Sequence, residues 1–507
     1  MANLRVKRAK LNIFVSLISQ FVALVCGLIV PRLLIGKFGS EAYGATTSIT
    51  QFLAYITLLE AGIGGVARAA LYKPLANNDT YHISAVVYEI KRFFRMIGYA
   101  FFIYVIVLAC TYKQISHIQC FDWISTVLLV VVISISTFAQ YFIGISYSVL
   151  LQAAQRTYIT KIISMCATVL NTSLVIILVN LDCDLIMVKF LSSLVFSIKP
   201  FAMWLYVRKE FKLIQIKENN PRLLEQKWSG LGQHIAYFLH SNTDVAVLTI
   251  LVNLSTVAVY SVYNMVVTEI QNITSSFSTG MEAVFGDMLA KKEDDLLSQT
   301  FNYYETLISV IAIFLFSVTA VMIVPFVKLY TTKIADVNYI QPLFALLIVI
   351  AALLYCLRMP YHSMIIAAGH FRQTRIAAYG EAIINILLSI SLVIKLGLVG
   401  VAIGTVVAVL FRFCFYAFYL SKHIFGRKIE EFYKRSIINF CSFIFIYFVG
   451  SIITNIVTIT NYFMWIICAC VISFVAASVL LITTNFFYKE DLKPVANKIF
   501  RRKKSVQ

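Results

Sequence analysis

Ten charged side chains fall inside long apolar stretches of this sequence, and they define the chemistry open to it. The cations are Arg32, Lys189, Lys199, Arg358 and Arg412, and the acids are Glu60, Asp244, Glu269, Glu282 and Glu381. Each charge costs several kcal/mol in hydrocarbon unless it meets a partner or a hydrated cavity. Cations facing such a cavity would bind an anionic group, whereas the acids would bind an ion or pair with a cation.

Helix-breaking residues accompany three of the cations. The three sites are Pro31-Arg32, Lys199-Pro200 and Arg358-Met359-Pro360. A proline kinks the helix and frees a backbone carbonyl, which is tolerated at membrane depth where the backbone lines a cavity. Around Lys199, polar side chains recur at helical spacing and cover about half of the helix circumference. This face consists of Lys189, Ser192, Ser193, Ser197 and Lys199, and it predicts a cavity wall with cations at two depths.

Structural explanations stay open for several of these charges. Arg32 and Lys189 could extend to the outer lipid headgroups, and Arg412 could extend to the inner ones. Glu60 and Asp244 could be ion-pair partners of the cations instead of groups that couple transport to an ion.

The composition places these charges in a membrane. The chain has 507 residues, of which 60% are hydrophobic and 13% charged, and its mean hydropathy is +0.83. Apolar runs repeatedly reach the roughly 20 residues that cross a bilayer as a helix. We therefore predict an all-α polytopic membrane protein with about fourteen transmembrane helices. Their approximate cores are residues 11–34, 46–71, 93–111, 123–147, 161–180, 185–206, 232–252, 257–281, 304–328, 342–368, 376–395, 401–420, 437–459 and 463–484.

The chain contains an internal repeat. Residues 150–179 align at a constant offset with residues 364–393, and about eight positions are identical, among them Asn171 and Asn385. In each copy an apolar segment ends in Ala-Ala, a short basic turn follows, and a second apolar segment begins. Paired halves of this kind are typical of transporters. The two mid-span asparagines are more readily explained by hydrogen bonds between helices than by substrate binding.

The repeat and the distribution of charge together predict the domain organisation. About 33 of the 43 Lys and Arg residues fall on one side of the predicted spans, which places both termini in the cytoplasm. The net charge of +19 is thus explained by topology and anionic lipids, without nucleic acid. We predict two pseudo-symmetric six-helix bundles, at residues 1–206 and 229–424, joined by a cytoplasmic connection at residues 207–228. Two further helices and a basic tail follow at residues 425–507.

No sequence feature indicates an enzyme. There is no P-loop, nucleotide-binding fingerprint, metal-ligand cluster or nucleophile–base set. The ten cysteines lie mostly inside apolar runs without ligand spacing and are interpreted as small buried thiols. We expect no cofactor. Transport energy would come from a proton or sodium gradient, from the substrate gradient or from a partner.

Several stretches resemble the bacterial polysaccharide flippases of the O-antigen repeat-unit (Wzx) type. These belong to the multidrug/oligosaccharidyl-lipid/polysaccharide (MOP) exporter superfamily. Pro31–Leu34 and Phe38–Gly44 resemble the family's first outer turn. Leu58–Gly65 and Leu71–Ala76 resemble its second span and inner loop, and Asn242–Asp244 resembles the start of its second half. The similarity covers most of the chain.

The resemblance implies two bundles that face each other in a V and work by alternating access. The substrate would be an oligosaccharide on undecaprenyl pyrophosphate, moved across the bacterial cytoplasmic (inner) membrane for O-antigen, capsule or exopolysaccharide synthesis. The five cations would contact the anionic headgroup. Glu60, Asp244, Glu269 and Glu381 would serve ion coupling or ion pairing. Membrane lipids and the polysaccharide polymerase and chain-length machinery are the expected partners, and a monomer is the expected state.

Two other functions fit parts of the sequence. A MATE-like multidrug antiporter would share the fold, but export of organic cations favours an acidic, aromatic cavity over one with five candidate cations. It would also leave the two extra spans unexplained. A membrane polysaccharide polymerase or glycosyltransferase usually needs a large outer loop with catalytic residues, whereas the outer loops predicted here are short.

Overall fold

The computed structural model describes residues 2–60, 63–214, 216, 231–278, 280–426, 428–489 and 491. Most of the predicted connection 207–228 and the basic tail from residue 492 onward lie outside these ranges. The regular structure of the described residues is helical, which confirms the all-α prediction. The helices are α1 Ala2–Ala54, α2 Ile63–Ala76, α3 Thr80–Ser116, α4 Trp123–Ala139, α5 Ile145–Ala153, α6 Thr157–Asn180, α7 Leu185–Phe211, α8 Leu231–Leu251, α9 Leu254–Ser276, α10 Met281–Lys291, α11 Asp294–Tyr330, α12 Pro342–Ala367, α13 Phe371–Leu396, α14 Leu398–Leu420, α15 Ile429–Ile456 and α16 Tyr462–Phe487.

Among the described residues, eleven helical segments are long and apolar enough to cross a membrane, so the chain is a multi-pass membrane protein. Large apolar side chains such as Phe474, which is 75% exposed, cover the outside of these helices and would contact lipid. The spans predicted at 232–252 and 257–281 are helices α8 and α9 but are not among the eleven. Polar residues such as Asn242, Asp244 and Glu269 lower their hydropathy.

The first predicted span and the start of the second, up to Ala54, lie in one long helix with a non-helical residue at Gly39. This residue has φ 84° and ψ 168°, a conformation that is open essentially to glycine alone. The helix restarts at Ser40, whose N–H donates to Asp336 Oδ2 at 2.6 Å and whose hydroxyl donates to Oδ1 at 2.8 Å. A carboxylate in this position satisfies N–H groups that the break leaves without a partner. A 3₁₀ turn, Tyr55–Glu60, then precedes α2.

The chain forms two compact units, the first being Met1–Val259 with Ile334–Val337. Its core runs between α2, α3 and the α4–α5 segment. Helix α8 belongs to this unit, although the predicted division lay at residues 206–229. The reason is a polar and aromatic seam between α8 and the end of α1. Thr249 hydrogen-bonds Ser48 at 2.8 Å, Gln51 donates to Asn242, and the Tyr55 ring meets Phe238 edge-on at 5.1 Å.

The second unit comprises Tyr260–Lys333 and Asn338–Gln507. An aromatic cluster forms its core, in which Phe301, Phe413 and Phe432 surround the ring of Tyr361 at 5.6–5.9 Å. The two extra helices pack on α11, where Trp465 Nε1 donates to the carbonyl of Met322 at 3.0 Å. They are therefore an integral part of this unit.

The two turns of the predicted internal repeat have the same backbone geometry. Gln155 after α5 and Gly369 after α12 occupy equivalent positions and both have positive φ, 59° and 73°. The following residues, Arg156 and His370, each donate a backbone N–H to the carbonyl five residues earlier. This pattern is the Schellman ending of a helix. The same local geometry thus ends the helix in both copies.

Candidate functional site

A cavity of about 1140 Å³ opens within the first unit. Its walls are formed by α1, the 3₁₀ turn, α2, the α4–α5 segment, α6 and α7. Hydroxyl and amide side chains line much of it, namely Thr46, Thr47, Thr50, Gln51, Thr57, Ser136, Thr137, Gln140, Ser148, Gln152, Thr168, Asn171, Thr172, Ser192 and Ser193. A polar volume of this size inside a membrane helix bundle can hold water and a hydrated ligand group.

Three cations line this cavity. Lys189 and Lys199 are the two cations of the polar face predicted on α7, and Arg68 on α2 is the third. Among the described residues that line the cavity, Glu60 is the only carboxylate, so this part of the wall is cationic. The ammonium of Lys199 lies 4.4 Å from the ring centre of Phe196, a cation–π contact that stabilises the charge.

Arg68 was missed as a site residue because it was counted only with the basic residues on the inner side. In the structure Arg68 sits on α2 and donates from Nη1 to Gln152 Oε1 at 2.9 Å. Gln152 in turn donates from Nε2 to Ser148 Oγ at 3.2 Å. The sequence signal was present, since Arg68 lies inside the predicted span 46–71.

Glu60 ends the 3₁₀ turn and lies in the cavity wall, where the hydroxyl of Tyr141 donates to its Oε1. Tyr141 belongs to a π-helical turn, Gln140–Gly144, that links α4 to α5. Such turns are rare and occur frequently at functional sites. A carboxylate that is half-buried, hydrogen-bonded and open to a cavity can take up and release a cation.

Asn171 lies in the wall of the cavity. The residue is 7% exposed, and its Oδ1, like that of Asn385, is buried and has no hydrogen-bond partner among the residues described. Asn385, its counterpart in the repeat, donates from Nδ2 to Thr405 Oγ1 at 3.1 Å and so joins two helices. The two asparagines therefore share a position in the repeat but have different surroundings. Of the two, Asn171 is the one that lines the cavity of the first unit.

Arg358, Arg412 and Glu381 come together in the second unit, away from the cavity-lining set. Glu381 is fully buried and accepts from both arginines, with Arg358 Nη1 at 2.6 Å. The guanidinium of Arg412 also donates to the hydroxyl of Tyr416 from Nε at 2.9 Å and from Nη2 at 2.7 Å. Arg358 and Arg412 are only 5% and 8% exposed. Both arginines are buried and paired with Glu381, so we do not assign either one to a ligand.

The remaining predicted site residues are dispersed. Arg32 is exposed on α1 and Asp244 is buried on α8, while Glu269 is half-buried on α9. Glu282 is exposed at the start of α10. None of the four is among the lining residues of the cavity described above.

The second unit has a cavity of its own, of about 550 Å³, between α11, α12, α14 and α15. Its walls are mainly Leu, Ile and Phe, and its polar end carries Glu305 and Arg435. Arg435 donates to Thr306 at 3.0 Å and to Asp491 at 2.8 Å, and so ties α15 and the segment after α16 to α11. We interpret this polar end as a structural tie.

Comparison with solved structures gives matches over nearly the whole chain. The lipid II flippase MurJ in an inward closed conformation matches 94% of this chain and 99% of its own, with a TM-score of 0.67 and 15% identity. An inward-facing MATE family multidrug resistance transporter of the MOP superfamily matches 79% and 95%, with a TM-score of 0.57 and 15% identity. The MATE multidrug transporter DinF-BH matches 83% and 97%, with a TM-score of 0.60 and 16% identity.

The chain has the fold of these transporters. No protein-family model matches the sequence, and no curated protein does. The match to MurJ extends over nearly all of both chains.

Proposed function

We propose that the chain is a flippase for oligosaccharide repeat units linked to undecaprenyl pyrophosphate. It would move them by alternating access from the inner to the outer leaflet of the bacterial cytoplasmic membrane, for surface polysaccharide synthesis. The observation that carries the proposal is the cationic, polar cavity of the first unit, set in a fold shared with a lipid II flippase.

The chemistry of the substrate matches the lining of this cavity. A diphosphate cannot cross hydrocarbon without compensation of its charge, and Lys189 and Lys199 supply that compensation at separate positions along α7. The amide of Asn171 and the hydroxyls of Ser192 and Ser193 would hydrogen-bond the sugar, because glycan hydroxyls both donate and accept. The lipid tail would stay in the bilayer, since it needs no polar surroundings.

Glu60 is the group we propose for coupling to a proton or sodium ion. It is the cavity's carboxylate, and Tyr141 orients it through a donated hydrogen bond. When the carboxylate binds a cation, its negative charge is neutralised. The net positive charge of the cavity wall then rises, which strengthens its attraction for an anionic headgroup.

The setting of the protein follows from the same proposal. Both termini would lie in the cytoplasm of a bacterial cell, and the chain would act as a monomer beside the polysaccharide polymerase and chain-length machinery. O-antigen, capsule and exopolysaccharide repeat units are all substrates of this chemical class.

A MATE-like exporter of organic cations is the second candidate. It is favoured by Glu60 and by the aromatic residues Tyr43 and Tyr141 in the cavity wall, since a carboxylate among aromatic rings binds organic cations. The three cations of the same wall oppose it, because like charges repel the ligand. A membrane polymerase or glycosyltransferase has no such observation in its favour.

The deciding experiment measures radiolabelled lipid-linked oligosaccharide on the two leaflets of a strain that lacks this protein and any paralogue. The flippase proposal predicts accumulation on the inner leaflet and restoration of outer-leaflet material by the wild-type gene. Normal outer-leaflet material in the deletion strain would refute it. Export of an organic dye that requires Glu60, with unchanged glycolipid distribution, would favour the MATE-like function.

A further inference from the structure

Arg68 lies inside the predicted span 46–71 and has few polar partners among the described residues. Its guanidinium lines the cavity and donates one hydrogen bond, from Nη1 to Gln152 at 2.9 Å. No other hydrogen bond or ion pair of Arg68 occurs among the residues that the structure describes. A guanidinium has five N–H donors in a rigid fork, so most of the donors of Arg68 are available to a ligand.

The amide that holds Arg68 is itself fixed in orientation. Gln152 Nε2 donates to Ser148 Oγ at 3.2 Å, which leaves the amide oxygen to accept from Arg68. Ser148, Gln152 and Arg68 thus form a chain of hydrogen bonds along the cavity wall, with the charged group at its end. Such a chain positions a guanidinium more narrowly than a flexible side chain alone would allow.

The π-helical turn, Gln140–Gly144, brings this chain into the cavity. Before the turn the cavity face of α4 is formed by Ile133, Ser136 and Thr137, and after the turn the cavity face of α5 is formed by Ser148, Val149 and Gln152. In an uninterrupted α-helix the second group would lie about 100° around from the first. A π turn holds about one extra residue, which removes this offset and puts both groups on one face. The π turn therefore places Gln152 on the face of the helix that lines the cavity.

We propose that Arg68 is an anion-binding residue for a diphosphate group and that Gln152 and Ser148 are its positioning residues. The planar fork of a guanidinium can donate two parallel hydrogen bonds to phosphate oxygens, which neither lysine of the cavity can do. That the diphosphate is a lipid headgroup rests on the proposed function. Inorganic pyrophosphate carries the same diphosphate group and would make the same contacts with Arg68.

The test is binding of undecaprenyl pyrophosphate to the purified full-length protein in lipid nanodiscs, with inorganic pyrophosphate as the second probe. The variants are Arg68→Gln, Gln152→Leu and the double variant, and Arg92→Gln is the matched control because Arg92 is exposed on α3 and does not line the cavity. Thermal unfolding of each variant verifies folding. Ser148→Ala, a smaller change in the same chain of hydrogen bonds, replaces Gln152→Leu if that variant does not fold.

We expect Arg68→Gln to weaken undecaprenyl pyrophosphate binding about tenfold, which is about 1.4 kcal/mol, and Arg92→Gln to leave it unchanged. Gln152→Leu should weaken binding about threefold and should have no further effect once Arg68 is Gln, because a positioning residue acts through the group that it positions. Additive losses in the double variant, or wild-type affinity in Arg68→Gln, would overturn the inference. So would wild-type protein that does not bind either probe.

The two probes separate the sources of the diphosphate. Arg68-dependent binding of the lipid, with weak binding of inorganic pyrophosphate, supports a lipid headgroup as the ligand. If both probes bind equally well and both depend on Arg68, the site recognises the diphosphate group itself, and a free diphosphate is the supported ligand. If Arg68-dependent binding is found and the deletion strain still carries normal outer-leaflet glycolipid, the proposed function fails while the site stands.

Discussion

The buried cluster of Glu381, Arg358 and Arg412 makes the sharpest stability prediction. Glu381 has no exposed surface and accepts from both guanidinium groups. The change Glu381→Gln keeps the volume of the side chain but removes the negative charge, which leaves two cations without their counter-charge. Removing one partner of a buried ion pair costs about 3–5 kcal/mol, because the other charge stays desolvated. Tyr416 still accepts from Arg412, so the effect of the change falls mainly on Arg358.

The assay is thermal unfolding of the detergent-purified protein. A loss of 3–5 kcal/mol corresponds to a fall of roughly 10 °C in the unfolding midpoint for a unit of about 240 residues. Glu430→Gln is the matched control, because Glu430 is exposed in the first turn of α15 and its change should leave the midpoint within about 1 °C. The triple variant Arg358→Met, Glu381→Leu, Arg412→Met should recover most of the loss, because apolar residues of similar volume need no compensation.

Two results would refute this reasoning. A midpoint of Glu381→Gln equal to that of the control variant would mean that the arginines are solvated and not dependent on the carboxylate. A triple variant less stable than Glu381→Gln would mean that the residues contribute by some means other than mutual compensation of charge.

Three further predictions concern the break in α1 and the cavity. Gly39→Ala should destabilise the protein by about 1–3 kcal/mol through backbone strain. Gly36→Ala is the control, because Gly36 faces open space within the helix and its change should not destabilise the protein. Equal unfolding midpoints for the two variants would exclude strain at Gly39. Glu60→Gln should abolish the response of flipping in proteoliposomes to an imposed proton or sodium gradient. Tyr141→Phe keeps the carboxylate of Glu60 and should retain the response. An unchanged response in Glu60→Gln would argue against ion coupling at Glu60. Asn171→Leu should weaken binding of the oligosaccharide-bearing lipid about two- to tenfold without affecting undecaprenyl pyrophosphate itself, and equal losses for both would argue against a sugar contact.

The sequence predicted the parts of the fold that depend on local pattern. Long apolar runs located the helices, because a bilayer-spanning helix requires about 20 apolar residues in succession. The repeat around Asn171 and Asn385 located two turns that have the same backbone hydrogen bonds after α5 and α12. The polar face of α7 predicted a wall of serines and lysines, and Lys189 and Lys199 do line one cavity.

The parts that the sequence did not predict depend on contacts between distant residues. In the sequence, Arg358 and Arg412 resemble Lys199, because each is a cation inside an apolar run. Only the packing of α12, α13 and α14 shows that both arginines form ion pairs with Glu381. Arg68 lies close to the end of an apolar run, so its charge was explained by topology alone, whereas Gln152 draws it into the cavity. Helix α8 joins the first unit through side chains that no periodicity distinguishes from lipid-facing ones.

The central claim is that the cations of the first unit's cavity hold an anionic headgroup during transport. The most direct measurement is surface polysaccharide in cells that carry Lys189→Ala, Lys199→Ala or both, with Lys→Arg changes as charge-keeping controls and protein levels verified for each variant. The account predicts loss of surface glycan in the alanine variants at normal protein level, deepest in the double variant, and partial recovery with arginine. Full surface glycan in the double alanine variant would contradict it.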